Sequence, residues 1–270
     1  MVSRTRQAKD SKAAQGLGRA GLACYGLVHL IVGYLAIRVA LGSSSQEADQ
    51  RGAIAEIGAT TFGSVVLWVL VVGLVAYGLW QLLMAANGYH WITKKRDRTL
   101  KRLGSAFNGL VVIALGLYAA QLASGGGAGG SGDAQQQELT AKLLTLPSGK
   151  LIVGLVAAVV LGIAIALVVK GVRRTFLEDL DVRHLPKGTK RLVTRLGVAG
   201  HIAKGLVFGI IAVSLAFAAF TADAGQAGGL DSALRTVAAQ PFGVFALIAV
   251  ALGFVAFGGY CFAAARAHRR

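Results

Sequence analysis

Six long apolar runs constrain the fold of this chain more than any other feature. A helix needs about 20 consecutive, mostly apolar residues to cross the hydrocarbon core of a bilayer. Six segments meet this requirement: 17–41, 62–86, 103–124, 150–171, 196–221 and 241–265. They lack the alternating pattern of barrel strands, so each is predicted to be a transmembrane helix. Only 15% of the residues are charged, against about 25% in soluble domains, and an all-α polytopic membrane protein is therefore predicted.

Lys and Arg residues concentrate in alternate connections, which predicts an orientation. Of the 28 Lys and Arg residues, 22 lie in the N-terminal arm over 1–16, at Arg19, in the second and fourth connections and at the C-terminus. The other three connections carry most of the acidic residues, which are Glu47, Asp49, Glu56, Asp133, Glu138, Asp223 and Asp231. We call these two ends of the spans the basic side and the acidic side. Because positive charge stays inside, both termini are predicted to be cytoplasmic.

The odd-numbered spans begin with a shared pattern of Gly, four residues and then Gly-Leu-Val. Its glycine pairs are Gly21 and Gly26, Gly104 and Gly109, and Gly200 and Gly205, and they are predicted to permit close helix approach. Spans two and six also repeat one another. The sequence thus predicts three tandem helical hairpins, over 17–91, 100–181 and 194–269, after the basic arm over 1–16. Two spans per hairpin exclude an inverted repeat, and a pseudo-threefold packing along the membrane normal is our hypothesis.

The third hairpin carries the most recognisable residues. It has Gly200, Ala203-Lys204-Gly205 and Val207-Phe208 on its first helix, and Ala238-Ala239-Gln240-Pro241-Phe242-Gly243 before its second. These residues resemble the two-helix unit of the bacterial membrane family DUF1206, a domain of unknown function. The first and second hairpins depart from the unit, because Tyr25 and Asn108 stand where a basic residue is expected. The resemblance covers almost the whole chain after residue 16. It implies a multi-pass protein of the bacterial plasma (inner) membrane and no particular activity.

Lys204 is the strongest candidate for a functional residue, because burying an ionisable group in a membrane is costly. It lies eight residues into span five, roughly 12 Å from its start at about 1.5 Å per residue. Tyr25 and Asn108 occupy the equivalent repeat positions, so the three side chains could form a polar ring around a central path. Alternatively, Lys204 extends its ammonium group to the headgroups.

Two histidines are further candidates inside the spans. His29 lies one turn beyond Tyr25 on the same helix face, and His201 precedes Lys204 by three residues. A buried histidine can shuttle protons or respond to pH. A hydrogen-bonded structural role is the favoured interpretation of both, since the repeats place no second histidine beside either one.

The connections predict short amphipathic elements on both sides. On the acidic side each connection is predicted to end in a short amphipathic stretch, with Asp231 as the N-cap of the third. These stretches are either lids over an outer mouth or interfacial helices. On the basic side, Phe176, Leu177 and Leu180 are expected to lie on the inner headgroups, where basic residues attract anionic lipids.

No pattern of catalytic chemistry is present in the sequence. No Asp or Glu lies inside a span, Cys24 and Cys261 sit in apolar runs, and phosphate-binding, zinc-ligand and nucleophile–base patterns are lacking. We therefore expect no enzyme, catalytic residue, metal, cofactor or nucleic-acid partner. The leading hypothesis is a non-catalytic membrane component that organises anionic lipid headgroups or membrane-protein partners. The alternative is a transporter or channel for small, polar or anionic solutes along the pseudo-threefold axis.

Overall fold

The computed structural model describes residues 12–42, 47–89, 92–93, 95–127, 130–180 and 186–267, and they are predominantly helical. Its α-helices are α1 (Lys12–Ala40), α2 (Gln50–Gly58), α3 (Gly63–Asn87), α4 (Lys95–Ala123), α5 (Gly132–Leu144), α6 (Gly149–Arg173), α7 (Lys187–Thr221), α8 (Leu230–Ala238) and α9 (Gly243–Ala267). Short 3-10 helices cover Thr175–Asp179 and Ala224–Gln226. Most of the predicted basic arm over 1–16 lies outside the described residues, as do Lys94, Arg183, Arg269 and Arg270.

Within these ranges, six helices are long and apolar enough to cross a membrane, which confirms the predicted spans. They are α1, α3, α4, α6, α7 and α9, with mean hydropathies from 1.7 to 3.1. Three of them begin at least one turn earlier than predicted: α1 at Lys12, α4 at Lys95 and α7 at Lys187. The extensions of α4 and α7 are the longest. Their added turns are rich in Lys and Arg, which are good helix formers but do not belong in the hydrocarbon core. The chain is thus an all-α protein of multi-pass membrane character.

Three short helices connect odd spans to even spans on the acidic side. These are α2, α5 and α8, and they occupy the predicted amphipathic stretches. The Ser131 side chain caps α5 by accepting a hydrogen bond of 2.8 Å from the Ala134 amide. The predicted N-cap of α8 is wrong: this helix begins at Leu230 after Gly229, and Asp231 lies in its first turn. Asp231 is therefore not the cap of its own helix, and its Oδ1 accepts from the amide of Ala48, before α2.

The chain divides into two compact units. Of the described residues, the first contains those up to Leu27, those of Ile54–Gly127 and those from Cys261 onward. The second contains Val28–Ala53 and Ala128–Tyr260. Each unit has its own close helix contacts, and the arrangement of three hairpins around one axis stays a prediction.

Glycines of the repeat stand where helices meet within each unit. In the first unit, Gly21 of α1 packs directly on Gly73 and Tyr77 of α3. In the second, a Cβ atom added to Gly200 of α7 would lie 2.6 Å from the Cα of Phe257 in α9. Both contacts join the two helices of one predicted hairpin, as expected of close approach through small residues.

A second set of glycines joins consecutive hairpins. A Cβ on Gly78 of α3 would lie 2.8 Å from the Gly109 carbonyl oxygen in α4, and one on Gly205 of α7 would lie 2.9 Å from the Ala164 carbonyl oxygen in α6. Gly104 differs from its repeat equivalents, because nothing lies within 4 Å of its Cβ direction. The predicted close approach is therefore wrong at Gly104, which is exposed near the start of α4.

Candidate functional site

Lys204 and His29 meet inside the second unit. The Lys204 side chain is only 8% exposed, and its Nζ lies 3.3 Å from His29 Nε2 on α1. Sequence reasoning treated the two residues as separate candidates. A lysine ammonium group is a pure donor and a neutral imidazole nitrogen can accept, so this pair can hold one shared proton.

Aromatic rings enclose this polar pair. Lys204 Nζ lies 4.1 Å from the ring centroid of Phe257, in the geometry of a cation–π contact. His29 is fully buried, with ring centroids of Phe257 and Phe254 at 4.8 and 6.2 Å. The Lys204 ammonium group therefore points into packed protein, and the alternative in which it reaches the headgroups is not observed.

The other two members of the predicted polar ring lie in the first unit. Tyr25 is buried on α1, and its ring centroid is 5.5 Å from that of Tyr77 on α3. Asn108 is half-buried on α4. Since Lys204 belongs to the second unit, the convergence of the three side chains stays a prediction.

His201 has the geometry of a structural histidine. Its Nδ1 lies 2.7 Å from the Gly197 carbonyl oxygen one turn earlier in α7. The ring of Phe176 stacks on it with a centroid distance of 4.9 Å and an interplanar angle of 8°. Tyr260 packs edge-on against both rings. One ring nitrogen of His201 is hydrogen-bonded and aromatic rings enclose the imidazole. This arrangement fits the predicted structural role of His201.

Phe176 reaches His201 from the fourth connection, which corrects the expectation for that segment. Phe176 and Leu180 are almost completely buried, with exposures of 0% and 2%, and Leu177 is half-buried. The Phe176 ring fills the space that Gly197 leaves without a side chain. The segment therefore packs on the basic-side end of α7 and does not lie on headgroups through Phe176 or Leu180.

Three carboxylates on the acidic side form an arrangement that sequence reasoning missed. Glu47 Oε2 accepts a bond of 3.1 Å from the amide of Gly132, the first residue of α5. Asp133 Oδ2 accepts one of 2.7 Å from the amide of Ser232, in the first turn of α8. Asp231 Oδ1 accepts one of 2.8 Å from the amide of Ala48, just before α2. The first hairpin thus caps α5 of the second, the second caps α8 of the third, and the third binds the first at Ala48, two residues before α2. We call Glu47, Asp133 and Asp231 the capping triad.

Side-chain bonds from neighbouring residues reinforce the capping triad. The Gln136 amide donates to the Gly228 carbonyl oxygen at 2.8 Å, which ties α5 to the segment before α8. Arg51 donates to the Gly130 carbonyl oxygen at 3.3 Å and to the side-chain oxygen of Gln135. Arg235 donates to Asp231 at 2.7 Å. The three acidic-side segments are therefore joined pairwise within the second unit.

Asp49 is buried beside the capping triad. It is 5% exposed, and its Oδ1 accepts a bond of 2.7 Å from the Gly52 amide of its own helix. Burial raises the pKa of Asp49 to about 6, and the charges of Glu47, Asp133 and Asp231 add to the rise while the Gly52 bond opposes it. Burial also raises the pKa of Asp133. Among the described residues, no group of three or more His, Cys, Asp or Glu side chains has an arrangement that would hold a metal ion.

Comparison with known proteins accounts for the repeats. The family described as Domain of Unknown Function (DUF1206) matches residues 20–88, 103–174 and 199–268. The chain belongs to this family. Each DUF1206 match falls inside one of the three predicted hairpins, so the tandem repeat is a property of the family.

A relative shares this sequence along nearly its whole length. The chain is 31% identical over 243 residues to the uncharacterised protein YxxB of Bacillus subtilis (strain 168), which covers 90% of this chain and 87% of the relative. No solved structure matches the chain. The comparisons thus show a family and a membrane-like character, while the role of a DUF1206 protein has to be argued from its residues.

Sequence signals for the missed contacts are partial. Each acidic connection has a carboxylate next to a short amphipathic stretch, at Glu47, Asp133 and Asp231. Glu47 and Asp133 both stand 15 residues before the following Phe62-Gly63 or Ser148-Gly149, whereas Asp231 stands 11 residues before Phe242-Gly243. The repeat alignment therefore superimposes the first two carboxylates but not the third, and it does not say which amides they bind. The Lys204–His29 pair is hidden for a similar reason, because its members come from different hairpins at non-equivalent positions.

Proposed function

We propose that this DUF1206 protein is a non-catalytic membrane component that organises anionic lipids, or membrane proteins that carry acidic segments, through its basic side. It resides in the bacterial plasma membrane with both termini in the cytoplasm. The observation that carries the proposal is the exposure of basic side chains at the basic-side ends of the spans in each unit. They are Lys95 and Arg96 at the start of α4 in the first unit, and Arg173, Arg174, Lys190, Arg191 and Arg195 near the end of α6 and the start of α7 in the second.

These exposed residues differ from the basic residues that hold the fold. Arg98 donates twice to the Ile92 carbonyl oxygen, at 3.1 and 2.8 Å, and Arg102 donates to the Gly88 carbonyl oxygen at 3.3 Å. Those two side chains fix the second connection to α4. The exposed group remains available to headgroups, and each basic residue near an anionic surface contributes about 1 kcal/mol.

The surroundings of Lys204 support an organising role over a conducting one. Lys204 is the clearest candidate for selecting a solute inside the spans, yet it is enclosed by His29 and Phe257. Beside it, Ala203 packs directly against Gly253 of α9. A side chain held in such close helix packing is poorly placed to line a hydrated path.

Lipid retention tests the proposal. The full chain is placed in nanodiscs of equal phosphatidylglycerol and phosphatidylcholine, and the lipids that remain bound on release are counted by native mass spectrometry. Phosphatidylglycerol is expected to be enriched. The double variant Lys190→Gln/Arg191→Gln is expected to bind it up to roughly 30-fold more weakly, from two contributions of about 1 kcal/mol each.

A matched variant removes the same charge from the opposite side. Lys142→Gln/Lys150→Gln also neutralises two exposed lysines, on α5 and α6 of the acidic side, and should keep the enrichment. Equal retention of the two lipids by the unmodified chain, or equal losses in both double variants, would overturn the lipid role.

A second candidate function rests on a different observation. The Lys204–His29 pair places two ionisable groups side by side within the spans, and such groups often mark transport pathways. The ionisable character of the pair, as opposed to the close packing around it, supports a transporter or channel for small anionic or polar solutes as the second candidate. Chloride and phosphate flux into proteoliposomes, compared between the unmodified chain and Lys204→Met, decides the matter: flux that depends on Lys204 would establish transport and displace the organising role.

A further inference from the structure

We propose that the acidic-side segments form a pH-sensitive cap, which closes when Asp49 is protonated and loosens when Asp49 is ionised. We call the segments that bear the capping triad and Asp49 the acidic cap. The inference does not depend on the proposed lipid role, because it concerns the opposite side of the spans and a different set of residues.

The geometry of the capping triad makes the acidic cap cooperative. Amides at the start of a helix have no partner within that helix, and a carboxylate that accepts from them stabilises the helix end. Glu47 and Asp133 satisfy such amides at the starts of α5 and α8. Asp231 satisfies the Ala48 amide, two residues before α2, so each of the three bonds joins two different hairpins. Because the three bonds form a closed cycle, displacement of one segment breaks two of them at once.

Asp49 is the residue whose ionisation would destabilise the acidic cap. Carboxylates act on it from every segment of the acidic cap: Glu47 from its own, Asp133 from α5 and Asp231 from α8. The same segments carry Arg51 and Arg235. With Asp49 included, the acidic cap therefore contains four carboxylates and two guanidinium groups. Arg235 is bonded to Asp231, and the bonds of Arg51 include those to Gly130 and Gln135. Moreover, Gly132 of α5 lies directly against Asp49 Oδ2, where a Cβ atom would clash.

The direction of the pH response follows from the burial of Asp49. Burial in the closed acidic cap raises its pKa from the ordinary 3.8 to about 6. The closed state therefore binds the proton more tightly than the open state, so closing is favoured as the pH falls through 6. Above pH 6 an ionised Asp49 lies buried among three further carboxylates. With these two pKa values, linkage predicts that opening is about tenfold more frequent at pH 8 than at pH 5.

Hydrogen–deuterium exchange tests the acidic cap directly. The full chain in phosphatidylcholine nanodiscs is labelled between pH 5 and pH 8, and exchange rates are corrected for the intrinsic effect of pH. Peptides that contain Ala48, Gly132 and Ser232, whose amides bond to the capping triad, should lose about tenfold in protection from pH 5 to pH 8. The protection of peptides from α7 and α9, where these two helices pack together, should not change with pH.

Two variants test whether Asp49 is the group that causes the pH dependence of protection. Asp49→Asn imitates the protonated side chain and should keep the protection high and lose most of its pH dependence; Asp133, whose pKa burial also raises, accounts for what remains. Glu138→Gln is the matched control, because Glu138 is an exposed carboxylate of α5 that pairs with Lys142 outside the triad; it should retain the full response. Protection that does not change with pH in the unmodified chain would overturn the proposal, as would an unchanged response in Asp49→Asn. If Asp49→Asn does not fold, the pH dependence of protection in the unmodified chain is by itself the test of the proposal.

Discussion

Lys204 shows how one residue can have different partners from its equivalents in a repeat. Tyr25 and Asn108 stand at the same repeat position, and Tyr25 packs on Tyr77 within the first unit. Lys204 instead contacts His29, from the first hairpin, and Phe257. An internal repeat predicts which positions are equivalent, but the partner of each side chain depends on the residues that the other hairpins supply.

The Lys204–His29 contact should have a measurable energy. In a double-mutant cycle of His29→Leu and Lys204→Met, we expect a coupling energy of about 0.5–3 kcal/mol, the usual range for residues in one hydrogen-bonded contact. Chemical unfolding in detergent micelles measures the free energy of each variant. Simple additivity of the two single variants would show that the contact contributes nothing.

Helix packing at Gly200 supplies a second residue-scale prediction. In Gly200→Ala, the new methyl group would meet the Phe257 backbone at 2.6 Å, so the free energy of unfolding should fall by about 1–3 kcal/mol, as in overpacked cores. Gly209→Ala is the control on the same helix, since nothing lies within 4 Å of its Cβ direction. That variant should be neutral or slightly more stable because alanine favours helices. Equal effects at both glycines would contradict the packing described for α7.

At the scale of elements, the connections contribute more to the packed structure than their polarity suggests. The 3-10 helix Thr175–Asp179 places Phe176 over Gly197 and against His201. On the acidic side, α8 buries Leu234 completely. Sequence reasoning finds these segments by their apolar residues, but it assigns them to headgroups or lids because it cannot tell a side chain that faces protein from one that faces lipid.

The fourth connection should loosen when its aromatic anchor is removed. Phe176→Ala is expected to cost about 3–5 kcal/mol, as for other buried phenylalanines, with part of the loss appearing as local release of the segment before α7. Limited proteolysis of the chain in nanodiscs should then cut faster between α6 and α7. Phe220→Ala is the control, because Phe220 is 85% exposed at the other end of α7. Unchanged cleavage in Phe176→Ala would disprove the anchoring role.

On the scale of the whole molecule, hydropathy and repeat are the features that sequence predicts best. The spans follow from composition alone, since every backbone group in lipid must bond within its own helix, and the family matches confirm the repeat. Contacts between hairpins are less predictable, because the rotation of each helix about its axis decides them. The Lys204–His29 pair depends on that rotation, the capping triad depends on how the acidic-side segments meet, and the repeat pattern specifies neither set of contacts.

The central claim is that the interior around Lys204 is packed protein and not a hydrated path. Single cysteines at positions 25, 108 and 204, with Cys24 and Cys261 replaced, are probed with a membrane-impermeant thiol reagent in intact cells and in inverted vesicles. Glu138→Cys and Thr189→Cys are the exposed controls; the proposed orientation predicts labelling of the first in intact cells and of the second in inverted vesicles. We predict that positions 25 and 204 stay unlabelled from both sides while the controls react. Rapid labelling at all three positions would reveal a shared aqueous cavity and contradict the account.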